Sequence, residues 1–251
     1  TRVIGIHTEG IRDGRRFLEA VGRIRREKPL LFLKGGITEA GREAARSHTG
    51  SLAGENGVYR GMAEQAGLVT VDSFEALFDT AKALLYCPLP GGGRVGVVSL
   101  TGGGCVLAAD ACNRMGLSLP PLGKSTAKAI SEGLPGWAVF GNPADIWPAT
   151  EAEGLANGYT RVLGALAAQD DIDMVMAVFT LVPESEFDVA GVMAVIREDH
   201  PGKPLLACIL GASSEDYRRW FEALEGAGIP VYDSIERCMT AARGLYRYSR
   251  F

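Results

Sequence analysis

Residues 95–105 read VGVVSLTGGGC, an apolar run that ends in three consecutive glycines. The run has the length and composition of a buried strand, and a helical pattern follows it around residues 105–115. Glycines between a buried strand and a helix are typical of the tight turns at the carboxyl ends of parallel strands. This stretch therefore predicts an α/β fold and a first candidate for a functional turn.

Apolar strands and amphipathic helices continue to alternate towards the carboxyl terminus. We expect further strands at residues 117–120, 174–179, 205–210 and 230–232, with helices between them that include one at residues 153–168. Uniformly apolar strands separated by helices indicate a parallel sheet that is covered on both faces. Five such strands favour a three-layer, flavodoxin-like domain.

A smaller unit of the same kind precedes this domain. Strands are expected at residues 3–7, 30–33 and 68–71, whereas residues 34–54 are rich in small and polar residues and predict a long loop with at most a short helix. Residues 87–93 read CPLPGGG, which is typical of a linker, so we predict two flavodoxin-like domains at residues 1–88 and 89–251. Because a strand begins almost at Thr1, we expect the first domain to be N-terminally truncated.

Charge and cysteine content exclude several classes of function. The 26 basic and 30 acidic residues give a net charge of −4 without any basic tract, so nucleic acid and membrane surfaces are not expected partners. No apolar run approaches the roughly 20 residues of a membrane helix, and no signal peptide is recognisable, which predicts a cytoplasmic protein. The five scattered cysteines form no C-x-x-C pair, so neither disulfides nor a metal site are expected.

The glycine turn is a candidate phosphate-binding site. Gly102, Gly103 and Gly104 let backbone N–H groups converge on an anion, and the start of the following helix adds partial positive charge. The alternative is a tight turn that needs glycine only for packing. No G-x-x-x-x-G-K-[ST] motif occurs, so the chain has no Walker-type nucleotide site of its own.

Residues 46–54, RSHTGSLAG, place one histidine among small residues. A neutral imidazole at His48 is a nucleophile towards phosphorus or a base, and Thr49 could donate a hydrogen bond to an attached anion. Glu9 follows a neighbouring strand, so its carboxylate could orient that imidazole. The alternatives are an incidental surface histidine in a capping loop and a glutamate that only caps a helix.

Residues 142–145, NPAD, form a further candidate loop near the glycine turn. Asn142 and Asp145 are possible contacts for a ligand there, although an Asx-type turn explains the same pattern. Cys105 begins a helix, which can lower the pKa of a thiol, but no partner histidine is evident and no catalytic role is expected for it.

Four segments together resemble the NDP-forming acyl-CoA synthetases, a superfamily that includes ADP-forming acetyl-CoA synthetase and succinyl-CoA synthetase. These segments are residues 34–41 (KGGITEAG), 47–54 (SHTGSLAG), 101–110 (TGGGCVLAAD) and 142–145 (NPAD). The resemblance implies an acid–thiol ligase that converts a carboxylic acid, CoA and ATP reversibly into acyl-CoA, ADP and phosphate. The intermediates it implies are an acyl-phosphate and a phosphorylated histidine.

The resemblance also assigns roles to residues. It implies that His48 is the phosphorylated nucleophile, that Glu9 stabilises it, and that Thr49, Gly50 and the glycines at residues 102–104 bind the phosphoryl group. CoA and ATP or ADP with Mg would be substrates bound mainly by domains outside this chain, with no prosthetic group.

The expected partners are therefore a CoA-binding Rossmann-like domain and an ATP-grasp domain or subunit, in an oligomer, and this chain alone is expected to be inactive. The rival interpretation is a non-catalytic, metabolite-sensing regulatory region of a fused protein acetyltransferase. Retention of both His48 and Glu9 favours the enzyme, because a sensor needs no nucleophile.

Overall fold

The computed structural model describes residues 1–49, 55–180 and 188–251, with the backbone alone at residues 48 and 49. The chain divides into two compact units. Unit 1 comprises Thr1–Leu85 with Arg250–Phe251, and unit 2 comprises Tyr86–Ser249. No helix among the described residues is long and apolar enough to cross a membrane.

Unit 1 contains a parallel three-stranded sheet in the order β1-β2-β3. The strands are β1 (Ile4–Thr8), β2 (Leu30–Lys34) and β3 (Val69–Val71), and the helices are α1 (Gly14–Ile24), α2 (Glu39–Thr49), α3 (Asn56–Gln65) and α4 (Phe74–Tyr86). β2 lies in the centre and its first four residues are buried. Its side chains Leu30 and Phe32 pack with Val21 of α1 and Ala63 of α3.

Unit 2 contains a parallel five-stranded sheet in the order β5-β4-β6-β7-β8. Its elements are β4 (Val95–Ser99), α5 (Gly102–Arg114), α6 (Lys124–Ser131), β5 (Ala144–Asp145), α7 (Trp147–Glu153), α8 (Leu155–Ala168), β6 (Met174–Thr180), α9 (Val189–Asp199), β7 (Leu205–Leu210), α10 (Ser214–Gly226), β8 (Val231–Tyr232) and α11 (Ile235–Ser249). Counted within the unit, the strand order is 2-1-3-4-5, the flavodoxin-like arrangement. The predicted fold class is therefore confirmed.

Helices cover both faces of the unit 2 sheet. α5 and α11 pack together on one face, and α8 and α9 pack side by side on the other. All five residues of β4 are buried, as the uniformly apolar sequence predicts for a strand covered on both sides. The Tyr159 hydroxyl of α8 donates a 2.9 Å hydrogen bond to the Val178 carbonyl, and its ring lies 4.8 Å from that of Phe179.

One predicted strand is wrong and another was missed. Residues 117–120 form only an isolated bridge, Arg94 to Ser118, because the prolines at 120 and 121 lack the N–H groups that a ladder requires. The second strand of unit 2 is instead β5, two residues long, within the NPAD segment that predicts a loop. It pairs Ala144 with Val98 and Asp145 with Ser99.

Two further boundaries differ from the sequence prediction. Residues 39–49 form a continuous helix, α2, where a loop with a short helix is expected. The helix expected at residues 153–168 is preceded by a separate helix, α7, and Gly154 divides the two with a φ of 84°. A left-handed φ of this kind favours glycine and ends one helix before the next begins.

The glycine linker packs against a buried carboxylate. Asp173 accepts hydrogen bonds from the Arg94 backbone N–H at 2.9 Å and from the Arg94 guanidinium at 2.9 and 2.8 Å. A Cβ at Gly92 would lie only 2.5 Å from the Asp173 carboxylate. The glycine here is therefore required by close packing at the start of β4.

Candidate functional site

The first candidate site begins where β1 ends. The Thr8 hydroxyl donates to the Gly10 carbonyl at 2.8 Å and accepts from the Gly10 N–H at 3.2 Å. The Gly35 N–H, directly after β2, donates to the Thr8 carbonyl at 2.9 Å. These bonds fix the backbone on both sides of Glu9, which is half-buried.

Lys34 anchors this turn, a role that the sequence analysis missed. Its ammonium donates to the Glu9 carbonyl at 2.8 Å and to the Gly35 carbonyl, and it lies 4.8 Å from the centre of the Tyr59 ring. Burial lowers the Lys34 pKa, while the nearby Glu9 charge acts in the opposite direction. The available signal was a lysine at the carboxyl end of a central strand, where ligand sites form in such sheets.

Gly35 brings two side chains close together. A Cβ at Gly35 would lie 3.4 Å from both the Glu9 Cγ and the His7 Nε2. The His7 imidazole also contacts the Phe74 ring, with 4.9 Å between ring centres. Gly35 therefore lies next to both the Glu9 and the His7 side chains at this sheet edge.

Helix α2 carries the histidine of the predicted site. The Thr38 hydroxyl accepts from the Gly41 N–H at 3.1 Å, which caps the start of this helix, and Ala45 packs into the interior. The backbone of His48 lies in the last turn of α2. The side chains of His48 and Thr49, and the whole of Gly50, lie outside the described residues, so the contact between Glu9 and His48 stays a prediction.

The second candidate site is the turn between β4 and α5. Thr101 caps α5, because its hydroxyl accepts from the Gly104 N–H at 3.1 Å. The Ser99 hydroxyl accepts from the Thr101 N–H at 3.2 Å and donates to the Thr101 carbonyl at 3.0 Å. The sequence places a buried serine here at the end of an otherwise apolar strand.

The three glycines differ in what surrounds them. A Cβ at Gly104 would lie 2.3 Å from the Ser99 hydroxyl, so this buried glycine is required by packing, and its N–H is already bound by Thr101. Gly102 and Gly103 are exposed, and no atom lies within 4 Å of a Cβ placed at Gly103. Their amides are the ones that remain available to an anion at this helix start.

Asp145 and Asn142 occupy different positions in this region. The Asp145 carboxylate lies beside the glycine turn, 3.2 Å from a Cβ placed at Gly102, and accepts from the Trp147 N–H at 3.1 Å. The Asn142 amide accepts from the Val97 N–H at 2.9 Å and donates to the carbonyls of Val95 and Pro120 at 2.8 and 3.0 Å. Asn142 therefore pairs with the edge of β4 through its amide oxygen and one amide hydrogen, and its other hydrogen binds Pro120.

The thiol of Cys105 is poorly suited to nucleophilic chemistry. Burial, followed by the nearby Asp145 charge, raises its pKa to about 11. The thiol thus stays protonated near neutral pH. Within the described part of the chain, no group of three or more His, Cys, Asp or Glu side chains is arranged to hold a metal ion.

Known proteins resemble the whole chain. A family model described as the succinyl-CoA ligase like flavodoxin domain matches residues 1–84. Acetate–CoA ligase [ADP-forming] II of Archaeoglobus fulgidus is 36% identical over 252 residues, which cover 100% of this chain and 36% of that protein. The alpha subunit of acetate–CoA ligase [ADP-forming] II of Pyrococcus furiosus is 32% identical over 254 residues, covering 99% of this chain and 54% of the subunit.

A solved structure agrees with these relatives. The dinucleotide forming acetyl-coenzyme A synthetase 1 of Candidatus Korarchaeum cryptofilum, in complex with phosphate and ADP, superposes with a TM-score of 0.86 at 30% identity and covers 100% of this chain and 53% of that one. The chain thus spans between about a third and a half of the proteins it matches. On these matches and on the two flavodoxin-like sheets, the chain belongs to the NDP-forming acyl-CoA synthetase superfamily.

Proposed function

We propose that the chain is the histidine-bearing part of an NDP-forming acyl-CoA synthetase. The whole enzyme would convert a carboxylic acid, CoA and ATP reversibly into acyl-CoA, ADP and phosphate. The observation that carries this proposal is the similarity over the full chain to ADP-forming acetate–CoA ligases. The anchored Glu9 turn supports it, because a phosphorylated histidine needs an oriented partner.

The chemistry proposed for His48 consists of two phosphoryl transfers, which are followed by one acyl transfer to CoA. An imidazole nitrogen attacks the γ-phosphorus of ATP, and the bond between that phosphorus and the ADP oxygen breaks. A carboxylate oxygen of the acid then takes the phosphoryl group and restores the imidazole. Finally the CoA thiol, losing its proton, attacks the acyl carbon, and phosphate leaves as acyl-CoA forms.

Residues of this chain would support His48 in two ways. Glu9 would hold one imidazole nitrogen and stabilise positive charge on the ring, while Lys34 keeps the Glu9 backbone in place. Thr49 and Gly50 would donate hydrogen bonds to the phosphoryl group on His48. The Gly102 and Gly103 amides are proposed separately as a phosphate-binding turn of unit 2. Gly104 would support this turn by packing against Ser99.

Domains outside this chain would bind most of the substrates. A CoA-binding Rossmann-like domain and an ATP-grasp domain or subunit would supply CoA and Mg-ATP, in a cytoplasmic oligomer. The relatives that are acetate–CoA ligases do not fix the acid used here, so the acid is proposed only as a small carboxylic acid.

Intact-mass measurement and peptide mapping of the full-length gene product after incubation with Mg-ATP test this function. We expect one acid-labile, base-stable phosphoryl group on His48, and none in a His48→Asn variant. Glu9→Gln should lower the phosphorylated fraction about tenfold, the low end of the loss seen when the partner that orients a metal-bound histidine is removed.

His7→Asn is the matched control, because His7 lies at the same sheet edge and has no assigned role in phosphoryl transfer. It should leave phosphorylation of His48 intact. An unmodified His48 in folded protein that binds nucleotide would contradict the proposal and favour a regulatory region of a fused acetyltransferase.

A further inference from the structure

A cavity of about 530 Å³ lies in unit 2 at the carboxyl ends of β7 and β8. We call it the α10 cavity, because helix α10 supplies Ser214, Tyr217, Arg218 and Phe221 to its wall. Its volume is in the range of cavities that bind small organic molecules. The glycine turn follows β4, which lies two strands from β7 in the same parallel sheet. Both the glycine turn and the α10 cavity therefore lie at the carboxyl edge of this sheet, where ligands bind in such folds.

One side of the α10 cavity is apolar and aromatic. The rings of Tyr217 and Phe221 are stacked with 5.9 Å between their centres and 26° between their planes. Both residues are half-buried, and Ile209 of β7 and Ala212 extend the apolar surface. A flat or bulky apolar group would gain contact with this wall.

The same face of α10 presents hydrogen-bond donors. Ser214, Tyr217 and Arg218 lie three and four residues apart, a spacing that puts side chains on one face of a helix. Over the ranges 1–49, 55–180 and 188–251, the structure shows no hydrogen-bond or ion-pair partner for these three side chains. Burial, with the Asp233 charge, raises the Tyr217 pKa, which keeps its phenol protonated as a donor.

The carboxylate in the cavity wall already has an ion-pair partner. Arg237 donates to both oxygens of Asp233, at 2.9 and 3.0 Å. On the opposite side of α10, Arg219 pairs with Asp216 at 3.2 Å. Among the charged side chains that line the cavity within the described part of the chain, Arg218 is therefore the one without an ion pair.

We propose that the α10 cavity binds a small monocarboxylate that has an aromatic or similarly bulky apolar body. Arg218, assisted by the hydroxyls of Tyr217 and Ser214, binds the carboxylate, since a guanidinium matches its geometry. The stacked rings of Tyr217 and Phe221 pack against the apolar body. This site does not depend on phosphorylation of His48.

Calorimetric titration of the full-length gene product, without nucleotide, tests the proposal with cinnamate as the probe. Cinnamyl alcohol has the same ring without the charge, and acetate has the charge without the ring. We expect cinnamate to bind at least tenfold more tightly than either. Equal affinity for cinnamate and cinnamyl alcohol, or the absence of cinnamate binding, would overturn the proposal.

Two arginine variants locate the site. Arg218→Gln should weaken cinnamate binding about tenfold or more, whereas Arg219→Gln, a change of the same kind one residue away, should leave it unchanged. His48→Asn should also leave it unchanged, which separates this site from a substrate site at the histidine. Equal losses in the two arginine variants, or loss in His48→Asn alone, would contradict the assignment to the α10 cavity.

Discussion

Strands β1 and β4 each lead into a turn that carries candidate site residues, but they are buried to different extents. All five residues of β4 are buried, whereas β1 alternates between half-buried and exposed residues. β4 has strands on both sides, while β1 pairs with β2 only among the described strands. The glycine turn of unit 2 therefore extends from a fully enclosed strand, and the Glu9 turn from a partly open one.

The buried cores of the two units also differ in extent. The core of unit 1 joins β2 to α1 and α3 through Val21, Phe32 and Ala63. In unit 2, a continuous core joins α8, α9 and α10 to the sheet. Both units thus show the same alternation of strands and helices in sequence, yet they are buried to different degrees. The alternation therefore predicts the fold class better than it predicts how completely each element is packed.

Matched isoleucines should show the largest difference between the units. Ile196 on α9 is 2% exposed and Ile24 at the end of α1 is 37% exposed. Ile196→Ala should lower the free energy of unfolding of unit 2 by about 2–5 kcal/mol, because it leaves a cavity in the core. Ile24→Ala should cost unit 1 less than about 1 kcal/mol.

Hydrogen exchange resolved by residue, with urea as the denaturant, would measure the two changes separately. Similar losses for both variants would mean that α1 is covered as completely as α9, contrary to the exposure described above.

A smaller effect is expected at the glycine turn. Gly104→Ala should destabilise unit 2 by about 1–3 kcal/mol, because its Cβ would displace the Ser99 hydroxyl that binds Thr101. Gly103→Ala should be neutral or slightly stabilising, since open space surrounds Gly103 and alanine favours a helix. Thermal unfolding of both variants measures the difference, and equal destabilisation would show that packing does not distinguish these glycines.

The smallest expected change in the free energy of unfolding involves Asp173 and depends on pH. Hydrogen bonds from Arg94 lower the Asp173 pKa below its ordinary value of 3.8. The ionised carboxylate therefore stabilises unit 2 above about pH 4, and this stabilisation is lost as the pH falls through the lowered pKa. Asp173→Asn should cost about 1–2 kcal/mol at pH 7, because Arg94 is partly exposed.

Urea unfolding from pH 7 to pH 2.5 or so checks this dependence. The difference between wild type and Asp173→Asn should shrink towards zero in acid. Asp110→Asn, at an exposed position of α5, is the control and should show no such trend. A difference that stays constant with pH would mean that the charge of Asp173 is not what stabilises the start of β4.

Most strands and helices could be predicted because their apolar patterns are local. The sequence predicts mostly loop at residues 39–49, because no large apolar residue lies there. The helix that forms instead, α2, buries the small side chain of Ala45. Strand β5 was missed because two residues carry too little pattern, and its pairing with Val98 and Ser99 depends on residues far along the chain.

The candidate site was predictable only in part. Glu9 and the glycine turn follow strands, so the rule for parallel sheets finds them. The roles of Lys34 and Asn142 depend on contacts with distant backbone groups, which no local motif encodes. The role of His48 came from resemblance, because a single histidine among small residues fits several structures.

The side chain of Asn142 has a consequence for association between molecules. An exposed strand edge presents unpaired N–H and C=O groups, which can template pairing with another chain and so promote aggregation. At β4, Asn142 binds Val95 and Val97, and the two-residue β5 covers the next two positions. A single amide and a very short strand thus occupy the pairing groups along this border of β4 and limit edge-to-edge polymerisation there, without a full-length strand.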